Sequence, residues 1–199
     1  MTKSESGKTE ETARAIRQKL GVDQLSWLDP MTLIVKLKRL ISGFNFALVE
    51  ASAIPGALAQ WDAEVKLIKI RRDIFESANG YRADGRARFS IFHEIVHAMQ
   101  GDQGTLNRAL SRTDIPKYAR KLRAIEGDTD QITGALMAPR HLVLDDYLEA
   151  DVAFRFGMSS SAAKIRLEEI RGRRPEARQL PDSIKQLLLD LSSKSPRGI

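Results

Sequence analysis

Two histidines lie four residues apart in the segment FHEIVHAMQ, and a glutamate directly follows the first of them. On a helix, residues i and i+4 share one face, so the imidazoles of His93 and His97 can bind the same metal ion. The carboxylate of Glu94, one position after His93, can then reach the open side of that ion. The spacing therefore predicts a zinc site of the kind that activates water for hydrolysis.

The residues around this motif are apolar, which favours a metal site over histidines that only fill a core. Ile95 and Val96 occupy the middle of the motif, and Glu94 is the only Asp, Glu, Lys or Arg between Phe89 and Met99. A glutamate and two histidines buried in such a helix need partners, because unpaired buried polar groups are destabilising. A divalent cation provides a partner for all three side chains.

A catalytic zinc site keeps three protein ligands and leaves one position for water, so a third donor is expected on another element. The stretch 118–139 has apolar residues at helical spacing and ends in Pro139. Glu126 and Asp130 lie four residues apart on this predicted helix and therefore share a face. We predict that Glu126 binds the metal and that Asp130 accepts the free ring N–H of a ligand histidine.

Gly127 and Gly134 interrupt the same predicted helix. Glycine is a poor helix former, so its presence inside a helix indicates that another backbone approaches closely. We expect the helix of His93 and His97 to be that neighbour. The alternative is a solvated acidic face on which the two glycines have no packing role.

Taken together, these two segments resemble a known family. RARFSIFHEIVHAM followed by EGDTDQITGALMAP is similar to the ImmA/IrrE family of bacterial and phage-encoded metallopeptidases, which have a gluzincin-like HExxH and ExxxD arrangement. The matching positions are Arg88 and Phe89 in the first motif and Glu126, Asp130, Leu136 and Pro139 in the second. Departures from the family pattern, none of which removes a ligand, are Thr129, Ile132, Met137 and Ala138. The resemblance covers roughly residues 45 to 170.

The resemblance implies an α+β fold, a mostly helical zincin-like metallopeptidase domain with a small β-sheet beside the HExxH helix. It implies a zinc endopeptidase in which Zn²⁺ is held by His93, His97 and Glu126. In such an enzyme Glu94 acts as general base toward a zinc-bound water and later passes the proton to the leaving amine.

A second donor is also expected at the oxyanion that forms during peptide hydrolysis. We predict His141, the only histidine outside the motif, for this catalytic role, with Tyr81 and Tyr147 as alternatives. An exposed position for His141 beyond the end of the second helix is the competing interpretation.

Members of the resembled family are implicated in the site-specific cleavage of helix-turn-helix repressors. The resemblance therefore implies a protein substrate, namely a transcriptional repressor. A different class of function stays open: a DNA-binding or protein-interaction regulator in which the metal site is structural or inactive.

Length and composition limit the number of domains and indicate the cellular compartment. A chain of 199 residues is long enough for one good core, so we expect one domain over 10–191, a disordered segment 1–9 and a flexible tail 192–199. With no cysteine, disulfides and thiolate metal sites are excluded and a reducing compartment is favoured. The charged N-terminal segment has no signal-peptide core, and no apolar run approaches the length that spans a bilayer. We therefore expect a cytoplasmic protein with no membrane partner.

The formal net charge is +6, but acidic residues interleave with the basic ones, a pattern typical of a solvated surface. Direct nucleic-acid binding is the less favoured alternative. Its best sequence support is segment 153–170, in which Gly157 separates two helical patterns as in a helix-turn-helix. The competing interpretation, which we favour, is that these helices complete the peptidase core.

The remaining elements are predicted from capping residues and apolar patterns. Helices are expected over 10–20, from Pro30 toward Gly43 after the cap Asp29, and over 182–191. Strands are expected at 44–51 and 65–70. The second of these strands is our candidate edge for binding an extended substrate backbone, and an ordinary internal strand is the alternative.

Overall fold

The computed structural model describes residues 3–79, 83–100 and 115–172. Within these ranges the chain forms seven α-helices and a small mixed sheet, so the predicted mostly helical α+β class is confirmed. The elements are α1 (Lys3–Lys19), α2 (Pro30–Leu40), β1 (Asn45–Val49), β2 (Ala59–Asp62), β3 (Leu67–Arg71), α3 (Arg72–Ala78), α4 (Gly85–Gln100), α5 (Ile115–Met137), α6 (Glu149–Phe156) and α7 (Ser160–Gly172). Short 3₁₀ turns lie at Ala51–Ala53 and Arg140–Leu142. Tyr81, the predicted helix 182–191 and the predicted tail 192–199 lie outside the described residues.

α2 forms where local capping signals predict it, whereas the extent of α1 depends on packing. α2 begins at Pro30 as predicted, and Asp29 Oδ2 accepts a hydrogen bond from Thr32 N at 2.8 Å. α1 begins at Lys3 rather than at the predicted position 10, so residues 3 to 9 are helical where their composition predicts disorder. α1 packs along α5, and tertiary contact of this kind stabilises a helix that propensity alone would leave unformed.

The sheet has the strand order β1–β3–β2, with β1 parallel and β2 antiparallel to β3. β1 and β3 correspond to the two predicted strands. Because β3 is central, the prediction that 65–70 forms the edge is wrong. The edge strand that contacts α4 is β2, which the sequence pattern does not reveal because four residues give too short an alternation.

α4 is held in place by a buried apolar face. Ile91, Phe92, Ile95 and Val96 are almost completely inaccessible to solvent, and they share one core cluster with Ile68 of β3. Burying an aliphatic or aromatic side chain of this size contributes about 1.5–3 kcal/mol each. Because this apolar face of α4 is held in the core, the opposite face of α4 is directed toward α5, which packs against it.

Three buried arginines bind main-chain carbonyl oxygens at helix ends. The bonds are Arg17 Nη1 to Leu136 O at 2.7 Å, Arg166 Nε to Ala138 O at 2.8 Å, and Arg88 Nε to Gly157 O at 3.0 Å. The last carbonyls of a helix lack intrahelical partners, and a cation there is favoured by the helix dipole. Burial lowers the pKa of Arg17 and of Arg88 to about 10, so both guanidinium groups stay charged near neutral pH. The ends of α5 and α6 are therefore anchored from inside the core.

One glycine lies in close contact with the backbone of another segment. A Cβ atom at Gly85, the first residue of α4, would lie 2.2 Å from Ser159 N and 2.3 Å from the carbonyl carbon of Met158. Only glycine permits this contact between the start of α4 and the turn that precedes α7.

The sequence predicts such a contact for Gly127 and Gly134 instead, and that prediction is wrong. Apart from its chain neighbours and the backbone of its own helix, no atom of the described residues lies within 4 Å of a Cβ placed at Gly127. A Cβ at Gly134 would meet a side-chain carbon of Arg166 at 3.6 Å, an ordinary van der Waals distance. α4 and α5 therefore approach through side chains, not through glycine backbones.

Segment 153–170 falls on two helices joined by a short turn, as the helix-turn-helix pattern predicts. Gly157 ends α6 in the left-handed conformation with φ 63°. α7 buries one face, made of Ala163, Arg166, Leu167 and Ile170, and packs against α5 and α6. This packing agrees with the interpretation in which the two helices complete the core.

Candidate metal centre

The imidazoles of His93 and His97 lie one turn apart on the face of α4 that meets α5. Their Nε2 atoms are 3.0 Å apart and their ring centroids are 4.7 Å apart. His97 is buried, with 6% of its surface exposed, and His93 is half-buried. Two ring nitrogens at this distance need a proton or a cation between them, because their lone pairs repel.

Glu126 of α5 completes a triangle of donor atoms with the two histidines. Its Oε2 atom lies 3.0 Å from His93 Nε2 and 3.5 Å from His97 Nε2. Zn²⁺ held tetrahedrally at about 2.0–2.1 Å from each ligand atom separates those atoms by about 3.3 Å. The three distances therefore suit one small cation, and the two nitrogens with one carboxylate oxygen are a donor set that zinc accepts.

Asp130 contacts the first of these candidate ligands. Its Oδ1 atom lies 2.9 Å from Nδ1 of His93, on the side of the ring opposite the donor triangle. A carboxylate accepts hydrogen bonds, so Nδ1 carries the proton and Nε2 is left with the lone pair that a metal needs. The structure thus brings together the two carboxylates that the four-residue spacing on α5 assigns to different roles.

The carboxylates also change the protonation of His93. Burial of the ring lowers its pKa, but the hydrogen bond that the ring donates to Asp130 and the nearby charges of Glu94, Asp130 and Glu126 outweigh burial and leave the pKa raised. Without a cation, this site therefore holds a proton more readily than an isolated histidine does. Negative charge that favours a proton also favours a metal cation at the same position.

Glu94 lies outside the donor triangle and is bound to the edge strand. Its Oε2 atom accepts a hydrogen bond from the main-chain N–H of Trp61 in β2 at 2.6 Å. Burial is the largest influence on this carboxyl and raises its pKa, while the Trp61 N–H and the two histidines act in the opposite direction. A half-buried carboxyl with a raised pKa beside a metal site is a suitable proton acceptor.

An open cleft of about 290 Å³ leads to these groups. One wall is the β2 side, with Leu58 and Ala59, and the other is the helical side, with Phe89 and Ser90. His93, Glu94 and Asp130 line its inner surface. The proposed proton acceptor and a candidate ligand are therefore accessible from one side of the protein.

His141 is not brought to this cluster. It lies in the 3₁₀ turn after α5, and its Nε2 atom is 3.1 Å from the main-chain oxygen of Asp23 and 3.1 Å from the carboxylate of that residue. Among described residues, the donor group consists of His93, His97 and Glu126. The predicted catalytic role of His141 therefore has no geometric support.

The tyrosine alternatives gain no support either. Tyr147 lies below the guanidinium of Arg155, whose central carbon is 5.0 Å from the ring centroid, and it does not line the cleft. Tyr81 is outside the described residues.

The functional group that the sequence does not reveal is the main-chain N–H of Trp61. The available signal is the alternation of Ala59, Gln60, Trp61 and Asp62, whose burial alternates in the structure. Four alternating residues are weak support for a strand, and a main-chain donor leaves no trace in residue types.

Comparison of the chain with protein-family models, with curated proteins and with solved structures finds no match.

Proposed function

We propose that this protein is a zinc-dependent endopeptidase of zincin-like architecture, related to the resembled ImmA/IrrE metallopeptidases. The observation that carries the proposal is the convergence of His93, His97 and Glu126 donor atoms within 3.0–3.5 Å of one another, with Glu94 beside them but outside the triangle. A purely structural zinc site is usually closed by four protein ligands. A three-donor site that is open to a cleft, with a carboxyl next to it, suits hydrolysis.

Each side chain then has a defined task. His93, His97 and Glu126 would hold zinc, which when bound supplies a Lewis acid that polarises a carbonyl and acidifies water. Glu94 takes the proton from the attacking water and delivers it to the leaving amine. Asp130 keeps His93 in the tautomer that leaves Nε2 free for the metal.

The edge strand β2 supplies a main-chain surface for an extended substrate. In an antiparallel pair, alternate residues direct N–H and C=O toward the partner strand. Leu58 O accepts from Arg71 N of β3, so Ala59 and Trp61 direct their polar groups the other way. The contact between Trp61 N–H and Glu94 agrees with this direction. A peptide bound along this edge would run past Glu94.

The substrate class comes from the resemblance. We propose a specific regulatory protein, such as a helix-turn-helix transcriptional repressor in the cytoplasm. Selection of one protein would then depend on surfaces next to the cleft, because main-chain contacts along a strand edge carry little sequence information.

The test compares zinc-loaded wild-type protein with Glu94→Gln. The amide keeps the size of the side chain but cannot accept a proton, so we expect unchanged zinc content and loss of cleavage by about a hundredfold or more. Zinc is measured by elemental mass spectrometry, and cleavage is measured on candidate repressors and on a mixed peptide library. Retained cleavage by metal-loaded Glu94→Gln would contradict the role of Glu94.

The competing function is a regulator that binds DNA or protein without cleaving it. Tight binding of one regulatory protein that stays intact with zinc-loaded wild-type protein would favour that function. DNA retention that declines steeply with salt, without any proteolysis, would favour the DNA-binding form.

A further inference from the structure

A second groove adjoins the metal cleft. It has a volume of about 410 Å³ and lies between α4, α5 and α7. Phe89, Ser90 and Asp130 line both this groove and the metal cleft, so the two spaces are adjacent. The neighbouring side chains of a polypeptide bound in the cleft therefore lie close to the groove.

The walls of this groove are largely apolar and include an exposed branched side chain. Ile165 of α7 has 58% of its surface exposed, although the buried face of that helix lies elsewhere. Ala162 and Met158 line the groove beside it, and Phe89 lines it from α4. These side chains suit an apolar occupant, because burial of apolar surface is the main favourable term for such a contact.

Charged groups distinguish two parts of the groove. Arg166 is buried and binds Glu169 at 3.2 Å and Glu10 at 2.5 Å, so its charge is already compensated. Arg86, in the first turn of α4, is exposed at the margin. A negative charge near Arg86 would be attracted, and such a charge at a margin affects selectivity more than affinity.

We propose that this groove binds an apolar side chain of the substrate polypeptide close to the scissile bond, and that Ile165 and Phe89 select it. The proposal rests on the proposed peptidase function and names its specificity. An extended chain advances about 3.3 Å per residue, so a side chain entering a groove that adjoins the metal cleft belongs to a residue near the cleaved bond. An acidic residue beside that apolar one is favoured by Arg86.

This assignment gives the helix-turn-helix-like segment a role at the substrate site. α7 contributes Ser161, Ala162 and Ile165 to the groove, while its opposite face packs into the core. These exposed residues of α7 therefore face a space that is adjacent to the metal cleft, and Ile165 is an apolar contact for substrate rather than for a DNA groove.

The experiment uses the full chain loaded with zinc and a peptide library made by digesting a proteome. Cleavage sites are identified by mass spectrometry for wild type, Ile165→Glu and the control Leu144→Glu. Leu144 has 56% of its surface exposed, close to the value for Ile165, but it does not line the groove. A further variant, Arg86→Glu, tests the charge at the margin.

We expect wild type and Leu144→Glu to prefer an apolar residue at one position near the cleaved bond. In Ile165→Glu that preference should be lost, and kcat/KM for the best apolar peptide should fall roughly tenfold or more with zinc content unchanged. Arg86→Glu should replace the preference for a neighbouring acidic residue by one for a basic residue.

Three outcomes would overturn the proposal, and they are distinguishable. Cleavage with the same preference in Ile165→Glu and Leu144→Glu would contradict the proposed role of the groove but would be compatible with the proposed peptidase function. Absence of any cleavage by zinc-loaded wild type, on the library and on candidate repressors, would contradict both the role of the groove and the peptidase function. DNA retention by wild type that is lost in Ile165→Glu, with cleavage preference unaffected, would assign this face of α7 to DNA.

Discussion

Glu126 and Asp130 are exposed carboxylates one turn apart on α5, yet they have different partners. Glu126 Oε2 faces the Nε2 atoms of both histidines, whereas Asp130 Oδ1 faces Nδ1 of His93 only. The first position is that of a ligand and the second that of a residue that orients a ligand. The two residues should therefore differ in how strongly their removal affects metal binding.

Glu126→Ala should lose most of its zinc, because a site reduced to two neutral nitrogens binds the cation far more weakly. Asp130→Ala should keep zinc but with an affinity lower by roughly 10–100-fold. Zinc content after purification without added metal, measured by elemental mass spectrometry, checks both. Asp128→Ala, which removes an exposed carboxylate of the same helix, is the control. Equal zinc content in Glu126→Ala and the control would contradict the three-donor site.

The raised pKa of His93 predicts a pH dependence of zinc affinity. Zinc binds the neutral imidazole, so protons compete with the metal as the pH falls. Because the pKa of His93 is raised in the metal-free site, this competition should begin at a pH above the ordinary range for histidine. The affinity for zinc should therefore be highest at alkaline pH and should decline as the pH is lowered.

The pH prediction is checked by titrating zinc against a competing chelator at several pH values. Asp130→Asn removes the negative charge of the hydrogen-bond acceptor that contributes most to raising the pKa of His93, so the decline should begin at a lower pH in that variant. An identical onset in wild type and Asp130→Asn would show that Asp130 does not control the protonation of His93.

At the scale of elements, the arrangement of α4 depends on contacts at its N-terminal end. Its first turn is capped by Asp84 Oδ1, which accepts from Arg86 N at 2.7 Å, and Gly85 lies against the backbone of Met158 and Ser159. Arg88, one turn further on, reaches Gly157 O at the end of α6. α4 is thus fixed on the α6–α7 turn, whose Met158 and Ser159 also line the groove.

Gly85→Ala should destabilise the protein by about 1–3 kcal/mol, because the added methyl group overlaps the backbone of Met158 and Ser159. Gly127→Ala should stabilise it by about 0.5–1 kcal/mol, since the site has room and alanine favours the helix. Urea unfolding of the two variants, compared with wild type, gives the free energies of unfolding. A stability for Gly85→Ala equal to that of wild type would mean that α4 and the α6–α7 turn do not approach as described.

The edge of the sheet shows where local patterns fail. The pattern of 65–70 is that of a strand, and β3 is indeed a strand, but whether a strand is internal or at an edge depends on its neighbours. β2 takes the edge because the chain returns as a short hairpin and pairs antiparallel with β3. A strand this short is stabilised by pairing and by its buried Trp61, not by propensity.

At the scale of the whole molecule, a bound cation would join α4 and α5 through their side chains. A ligand that binds only the folded state stabilises it by about 2.7 kcal/mol at a free concentration of 100 times Kd. For a chain of this size, each kcal/mol corresponds to about 2–4 °C in Tm.

Among residues 3–79, 83–100 and 115–172, no helix has both the length and the apolar character that crossing a bilayer requires.

Because a bound cation stabilises the folded state, removal of zinc should lower Tm by roughly 5–10 °C. The measurement is thermal unfolding of wild type with added zinc and again after dialysis against a chelator. Glu126→Ala should show little difference between the two conditions, which separates specific binding from general effects of the chelator. Equal Tm values for wild type in both conditions would contradict a cation that links the two helices.

The sequence by itself determined the donors of the candidate site and the elements that carry them. His93 and His97, like Glu126 and Asp130, are related by the four-residue spacing of a helix, so their common faces follow from local geometry. The cap at Asp29 and the strands β1 and β3 are likewise local features that residue types reveal.

Only the tertiary structure decided how these elements meet. Glu126 and His93 are separated by 33 positions in the chain, and their 3.0 Å contact depends on the packing of α5 against α4. The binding of Glu94 to the N–H of Trp61 and the position of His141 beside Asp23 are equally non-local. Spacing in the sequence specifies which side chains share a helix face, but packing of the core specifies which faces come together.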